Sequence, residues 1–183
     1  MTESSDRLDR PGGRHAGDVI ILADAIGTGA FAITAATAAI VFTTAAQWVG
    51  AITAMSLFAV GVFAFLWSFW NVVQRSREEL IGVTQVYLLI GSPTPNRVRA
   101  RMLGLLAVQI VVALVTALSR TETADGRAGS SLALGVLVPM FGLGLNGLWA
   151  AYHAVFPPIP EPPDHAAPPA AEPAPQPDPE ANA

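Results

Sequence analysis

Apolar residues in this chain come in four long blocks. No residue is charged from Ala25 to Ala46, from Ala51 to Val73, from Met102 to Leu118 or from Leu132 to Val155. Each block is near the roughly 17–25 residues that cross a bilayer as a helix. The pattern predicts an all-α membrane protein, a four-transmembrane-helix bundle with helices over about residues 19–46, 51–74, 95–119 and 131–156. The third block is the shortest, but Thr94-Pro95 supplies a cap and a first helical position. That helix is therefore expected to start early and to carry Arg97 and Arg101 to the headgroups by snorkelling. The first block exceeds the roughly 7–15 apolar residues of a cleaved signal peptide and reads as a retained anchor.

One shorter stretch, "LIGVTQVYLLI" from Leu80 to Ile90, is apolar but too brief to span, and Gly91-Ser92-Pro93-Thr94-Pro95 closes it off. It is expected to lie at the membrane face as an interfacial segment, residues 80–91, packed under the bundle. As a helix it aligns Leu80, Val83, Tyr87 and Ile90; its β-branched residues permit a strand equally, and periodicity does not separate the two over this length. Residues 1–17 are polar and read as a flexible leader to the first helix. Residues 157–183, "PPIPEPPDHAAPPAAEPAPQPDPEANA", are proline, alanine and acid, too poor in apolar surface to offset their ordering entropy, and read as a disordered tail.

Composition agrees with lipid as the solvent: of 183 residues 52% are hydrophobic and 13% charged, about half the charged share of a soluble domain. With no cysteine, disulfides and thiolate metal sites are excluded. A net charge of −4, dispersed along the chain, gives no nucleic-acid footprint. The ten basic residues are all arginine, and they fix an orientation. Eight lie before the first helix (Arg7, Arg10, Arg14) or between the second and third (Arg75, Arg77, Arg97, Arg99, Arg101). The connection Ala46 to Gly50 has none, and Arg120 and Arg127 are offset by Glu122 and Asp125. The positive-inside rule then places both termini in the cytoplasm of a multi-pass protein of the cell membrane. Trp67, Trp70, Trp149, Tyr152 and Phe156 gather toward the ends assigned to that interface, with Trp48 at the other.

The fourth block contains "PMFGLGLNGLW", with Gly142, Gly144 and Gly147 spaced as in a dinucleotide fingerprint and Glu161 and Asp164 downstream. A fingerprint needs a strand before it and a second strand after its helix, whereas this one sits inside an apolar span that runs into the proline-rich tail. No dinucleotide is expected. Glycines in a membrane helix let backbones approach, so Gly135, Gly142, Gly144, Gly147 and Ala151 form a helix-packing stripe. Pro139 is expected to kink the span at mid-membrane. The first helix repeats the small-residue habit in Ala30, Thr34 and Ala38.

Site chemistry is sparse. His15, His153 and His165 have no acid or second histidine at ligand spacing, and there is no nucleophile elbow or P-loop, so no metal, cofactor or catalytic residue is expected. What remains is a polar set at membrane depth: Asp24, Asn71, Arg101, Gln109, Asn146 and His153. An intramembrane acid is either a hydrogen-bonded staple or a site for protons or cations. Depth makes Arg101 the expected partner of Asp24.

The run "RSREELIGVTQVYLLIGSPTPNRVRARMLGLLAVQIVVALVTA" with "LALGVLVPMFGLGLNGLWAAYHAVFPP" resembles a family of small actinobacterial, mycobacterium-type four-pass membrane proteins without established activity. The likeness covers about residues 75–158 and implies a lineage and a location, but no site residue. These readings together predict a non-enzymatic accessory or scaffold protein of the cell envelope. Its partners would be the bilayer and a second copy of itself or a larger membrane protein. The alternative is a small transporter or channel subunit using Asp24 and Gln109, which a continuous polar path through the bundle would distinguish and which this sequence barely supplies.

Overall fold

The computed structural model describes residues 11–77, 79–91, 94–119 and 131–159, without the side chains of 11–15 and 131. The described residues are mostly helical, with no strand among them. Helix α1 spans Pro11–Val41, α2 Thr44–Arg75, α3 Val83–Tyr87 and α4 Asn96–Ser119; a 3-10 segment, Ser131–Leu137, leads into α5, Pro139–His153. Four helical stretches are long and apolar enough to cross a membrane: Ala16–Val41, Thr44–Arg75, Asn96–Ser119 and Leu132–His153. Their outward faces carry exposed Ile33, Ile40, Ile52, Phe63, Leu66, Trp70, Val115 and Leu118. So much exposed apolar surface suits lipid contact and not water. The chain is a multi-pass membrane protein. Most of the leader and nearly all of the tail fall outside the described residues.

Buried positions recur at helical spacing on one side of each outer helix. They are Asp24, Thr28, Phe31, Ala35 and Ala38 on α1, Ala51, Ala54, Gly61, Ala64 and Ser68 on α2, and Met102, Leu106, Gln109, Ala113 and Thr116 on α4. Each stripe has residues that meet the fourth span: Phe31 and Ala113 beside Gly135, Gly61 beside Phe141, Ser68 beside Gly147, and Leu106 and Gln109 beside Gly142. The fourth span is 56% buried against 28% for each of the others, which makes it the axis of the bundle. Small residues explain how it fits there. A Cβ on Gly61 would lie 2.5 Å from the Phe141 backbone, and one on Gly144 would run into the carbonyl of Gly61. A Cβ on Gly142 would lie 2.7 Å from Gln109 Oε1, and one on Gly147 2.5 Å from Ser68 Oγ and from the Tyr87 ring. Ala151 is buried as well, and Gly135 packs beside the Phe31 ring.

Several boundaries differ from the sequence reading. The first turn is Phe42–Thr43, and Ala46 to Gly50 are helical. Thr43 sets it: its backbone is extended, its Oγ1 accepts the Ala46 N–H at 3.3 Å, and Phe42 turns the chain with φ 48°. Pro139 does not kink a continuous helix. It stands at the first turn of α5, where its missing N–H costs nothing, and the 3-10 segment precedes it. On α1 the small-residue face is shifted, since Ala30 is exposed while Gly27 and Phe31 point inward.

The interfacial stretch is a five-residue helix, α3. Of the four residues expected on its buried side only Tyr87 is buried; Leu80, Val83 and Ile90 are exposed. Val86 and Leu89 go into the core in their place, Leu89 by way of a left-handed φ of 52°. Beneath it, Arg75 at the end of α2 donates to the carbonyls of Ala151 (2.7 Å) and Ala154 (3.3 Å) and to Glu79 (2.7 Å), with its guanidinium over the Phe156 ring. That clamp satisfies the last carbonyls of α5. Leu80 N–H donates to Pro157 O, so the chain leaving α5 runs beside the segment leaving α2.

Candidate functional site

The polar centre lies where α1, α4 and α5 meet. Asp24 and Gln109 are fully buried and Thr28 nearly so. Asp24 and Thr28 are one turn apart on α1, so both reach the same point on α4. There Gln109 Nε2 donates to Asp24 Oδ1 at 3.0 Å and to Thr28 Oγ1 at 2.7 Å, while its Oε1 accepts the Gly142 N–H at 3.2 Å. Three helices are tied by one amide. Flipping the amide would set an oxygen against the Asp24 carboxylate and a donor against the Gly142 N–H, so its orientation is determined by its partners.

The centre depends on the restart of α5 at Pro139. The first N–H groups of a helix lack intrahelical partners, and Gly142 lies in that opening turn with no side chain to hold α4 away. The fourth span thus changes from 3-10 to α-helical winding at Pro139, one turn before Gly142.

A second polar group sits one turn further along α5. Asn146 is fully buried, and its Nδ2 donates to the Tyr87 carbonyl at 3.0 Å. The Tyr87 ring stacks on Phe65 at 4.4 Å, and its hydroxyl donates to the Phe65 carbonyl at 3.4 Å and stands 3.5 Å from Ser68 Oγ. Burial pushes the Tyr87 phenol above its usual range, against a smaller opposing effect of the Ser68 contact. Two oxygens in these groups have no hydrogen-bond partner, Asp24 Oδ2 and Asn146 Oδ1. Gln47 Nε2 and Thr94 Oγ1 are also buried and unpartnered, but they belong to helix-end positions elsewhere.

Of the six polar residues singled out from the sequence, Asp24 and Gln109 meet directly and Asn146 joins the same core. The other three stand apart. Arg101 is exposed on α4 and is not the partner of Asp24; the amide of Gln109 takes that place. Asn71 donates to the Trp67 carbonyl within its own helix. His153 is half-buried, stacked on Trp149 at 5.5 Å, and its Nδ1 lies 3.2 Å from the Trp149 carbonyl. Trp149 itself is buried against Gly17 and not spread at an interface. Sequence reasoning overlooked Thr28 and Ser68, and placed Tyr87 on a helix face without a part in the polar core. A hydroxyl four positions after an intramembrane acid was the available signal for Thr28, whereas nothing local marks Ser68.

Compared with protein-family models, with curated proteins and with solved structures, the chain matches none.

Proposed function

We propose that the protein is a small non-enzymatic component of the cell membrane that handles a small cation, as a minimal transporter or channel subunit built on Asp24 and Gln109. The observation that carries this reading is the 3.0 Å bond between them, which leaves one carboxylate oxygen, Oδ2, buried and unspent. An ionisable group held at this depth without a charged partner is costly, and such groups commonly mark ion or proton pathways. The change from 3-10 to α-helical winding at Pro139 supports the same reading, since a 3-10 stretch within a longer helix often marks a functional position.

The accessory or scaffold reading relies on small-residue faces that are free to meet another protein. In this molecule Gly61, Gly142, Gly144 and Gly147 are already occupied by neighbouring helices of the same chain. The outer surface left for a partner is large and apolar, Phe63, Leu66, Phe69 and Trp70 on α2 among it, and suits lipid. The arginine distribution supports both termini facing the cytoplasm. The resemblance of residues 75–158 supports an actinobacterial lineage.

Reconstituted vesicles test the proposal. Purified protein is expected to dissipate an imposed sodium, potassium or proton gradient, reported by an entrapped ion-sensitive dye, and Asp24→Asn is expected to abolish the flux. Vesicles as tight as protein-free controls to all three ions would return the scaffold reading to first place.

A further inference from the structure

We propose that the centre binds one monovalent alkali cation, with Asp24 Oδ2 and Asn146 Oδ1 as its side-chain ligands. This rests on the cation-handling reading of the same centre and names what it takes.

Register brings the two residues to a similar level. On α1, Gly17 stands against Trp149 and His153 and Gly27 against Phe141, so α1 and α5 run antiparallel. Asp24 falls between those two glycines, and Asn146 between Phe141 and Trp149. Gln109 links the two helices at this height, bonded to Asp24 on one side and to Gly142, one turn from Asn146, on the other. Both groups are fully buried, and each lacks a partner for one acceptor oxygen.

Neither oxygen can be relieved by turning its side chain. Asn146 Nδ2 is committed to the Tyr87 carbonyl, so a flip would oppose two oxygens. Asp24 Oδ1 is committed to Gln109, which leaves Oδ2 aimed elsewhere. Two buried acceptors without donors call for a hydrogen-bond donor or a cation, and the carboxylate favours the cation.

Charge and ligand chemistry then select its class. Arg101 is exposed, so one carboxylate stands among neutral amide and hydroxyl groups, and a single positive charge neutralises it. A divalent ion would leave a net charge buried in a low-dielectric core. Among the described residues no three His, Asp or Glu gather as a divalent or transition metal would ask. Oxygen ligands suit a hard cation.

The test is thermal unfolding of the full chain in detergent near neutral pH, in sodium, potassium or choline chloride at equal ionic strength. An alkali salt is expected to raise Tm saturably by about 2–4 °C or more over choline. Asn146→Ala is expected to raise the half-saturating concentration about tenfold or more, and Asp24→Asn to remove the shift. Should Asp24→Asn fail to fold, binding of radiolabelled sodium to the unaltered protein, competed by potassium and not by choline, decides in its place. No alkali-specific shift or binding would overturn the proposal, as would a shift kept in Asp24→Asn. Stabilisation by acidification with none from the alkali salts at any pH would assign the site to a proton and overturn it too. Alkali binding without flux would keep this site and sink the transport reading; flux without alkali binding would do the reverse.

Discussion

Gly61 and Gly144 put the backbones of α2 and α5 in direct contact, because a Cβ on Gly144 would run into the Gly61 carbonyl. Backbone cannot step aside as a side chain tip can. Gly144→Ala and Gly61→Ala are therefore each expected to destabilise by about 1–3 kcal/mol through overpacking. Gly29 and Gly104 are helical with nothing within 4 Å of an added Cβ. Alanine there should stabilise by about 0.5–1 kcal/mol. Thermal unfolding in one detergent ranks the four variants, and equal effects at all four would mean that α2 and α5 do not touch.

The bond between Gln109 and Asp24 predicts a coupling. Gln109→Leu alone leaves Asp24 Oδ1 and the Gly142 N–H without their partner, which is expected to cost about 1–3 kcal/mol. A cycle with Asp24→Asn should show an interaction energy of about 0.5–3 kcal/mol. The cycle of Asp24→Asn with Arg101→Gln should be additive within about 0.5 kcal/mol, since Arg101 lies outside the centre. Coupling in the second cycle and none in the first would restore the ion pair that depth alone suggests.

That exchange of partners shows where the sequence stops informing. Unbroken apolar blocks identify the spans because lipid accepts little else, and depth along each span follows from counting residues. Which side of a helix faces which neighbour is a property of tertiary packing, and it decides that Gln109, not Arg101, turns toward Asp24. The same limit applies to α3, whose buried residues follow from the left-handed Leu89 and not from helical periodicity. The glycine spacing of α5 was readable as close packing, but its counterparts Gly17, Gly27 and Gly61 lie singly on other helices and form no pattern. Pro139 was readable as a disruption, though not as the start of a helix after a 3-10 segment.

Orientation can be measured on described residues at opposite ends of α2. Thr44 and Arg77 are both exposed, at the turn after α1 and just beyond the Arg75 clamp. In this naturally cysteine-free chain, Thr44→Cys should react with a membrane-impermeant maleimide on intact cells, and Arg77→Cys only after permeabilisation. The opposite pattern would invert the topology.

Tyr87 predicts an alkaline signature. Burial raises its phenol above the ordinary value of 10.0, so from about that pH upward the unfolded chain has lost a proton that the folded chain keeps. The unfolded state then binds fewer protons, and stability falls as pH rises through that range. Tyr87→Phe removes the titrating group together with the hydroxyl contacts to Phe65 and Ser68. At neutral pH it should cost about 0.5–1.5 kcal/mol, the usual worth of a neutral hydrogen bond. Above pH 10 the variant should lose stability less steeply than the unaltered chain, so the two Tm curves converge. Parallel curves for Tyr87→Phe and the unaltered chain would show that α3 does not hold its phenol in the core beside Ser68.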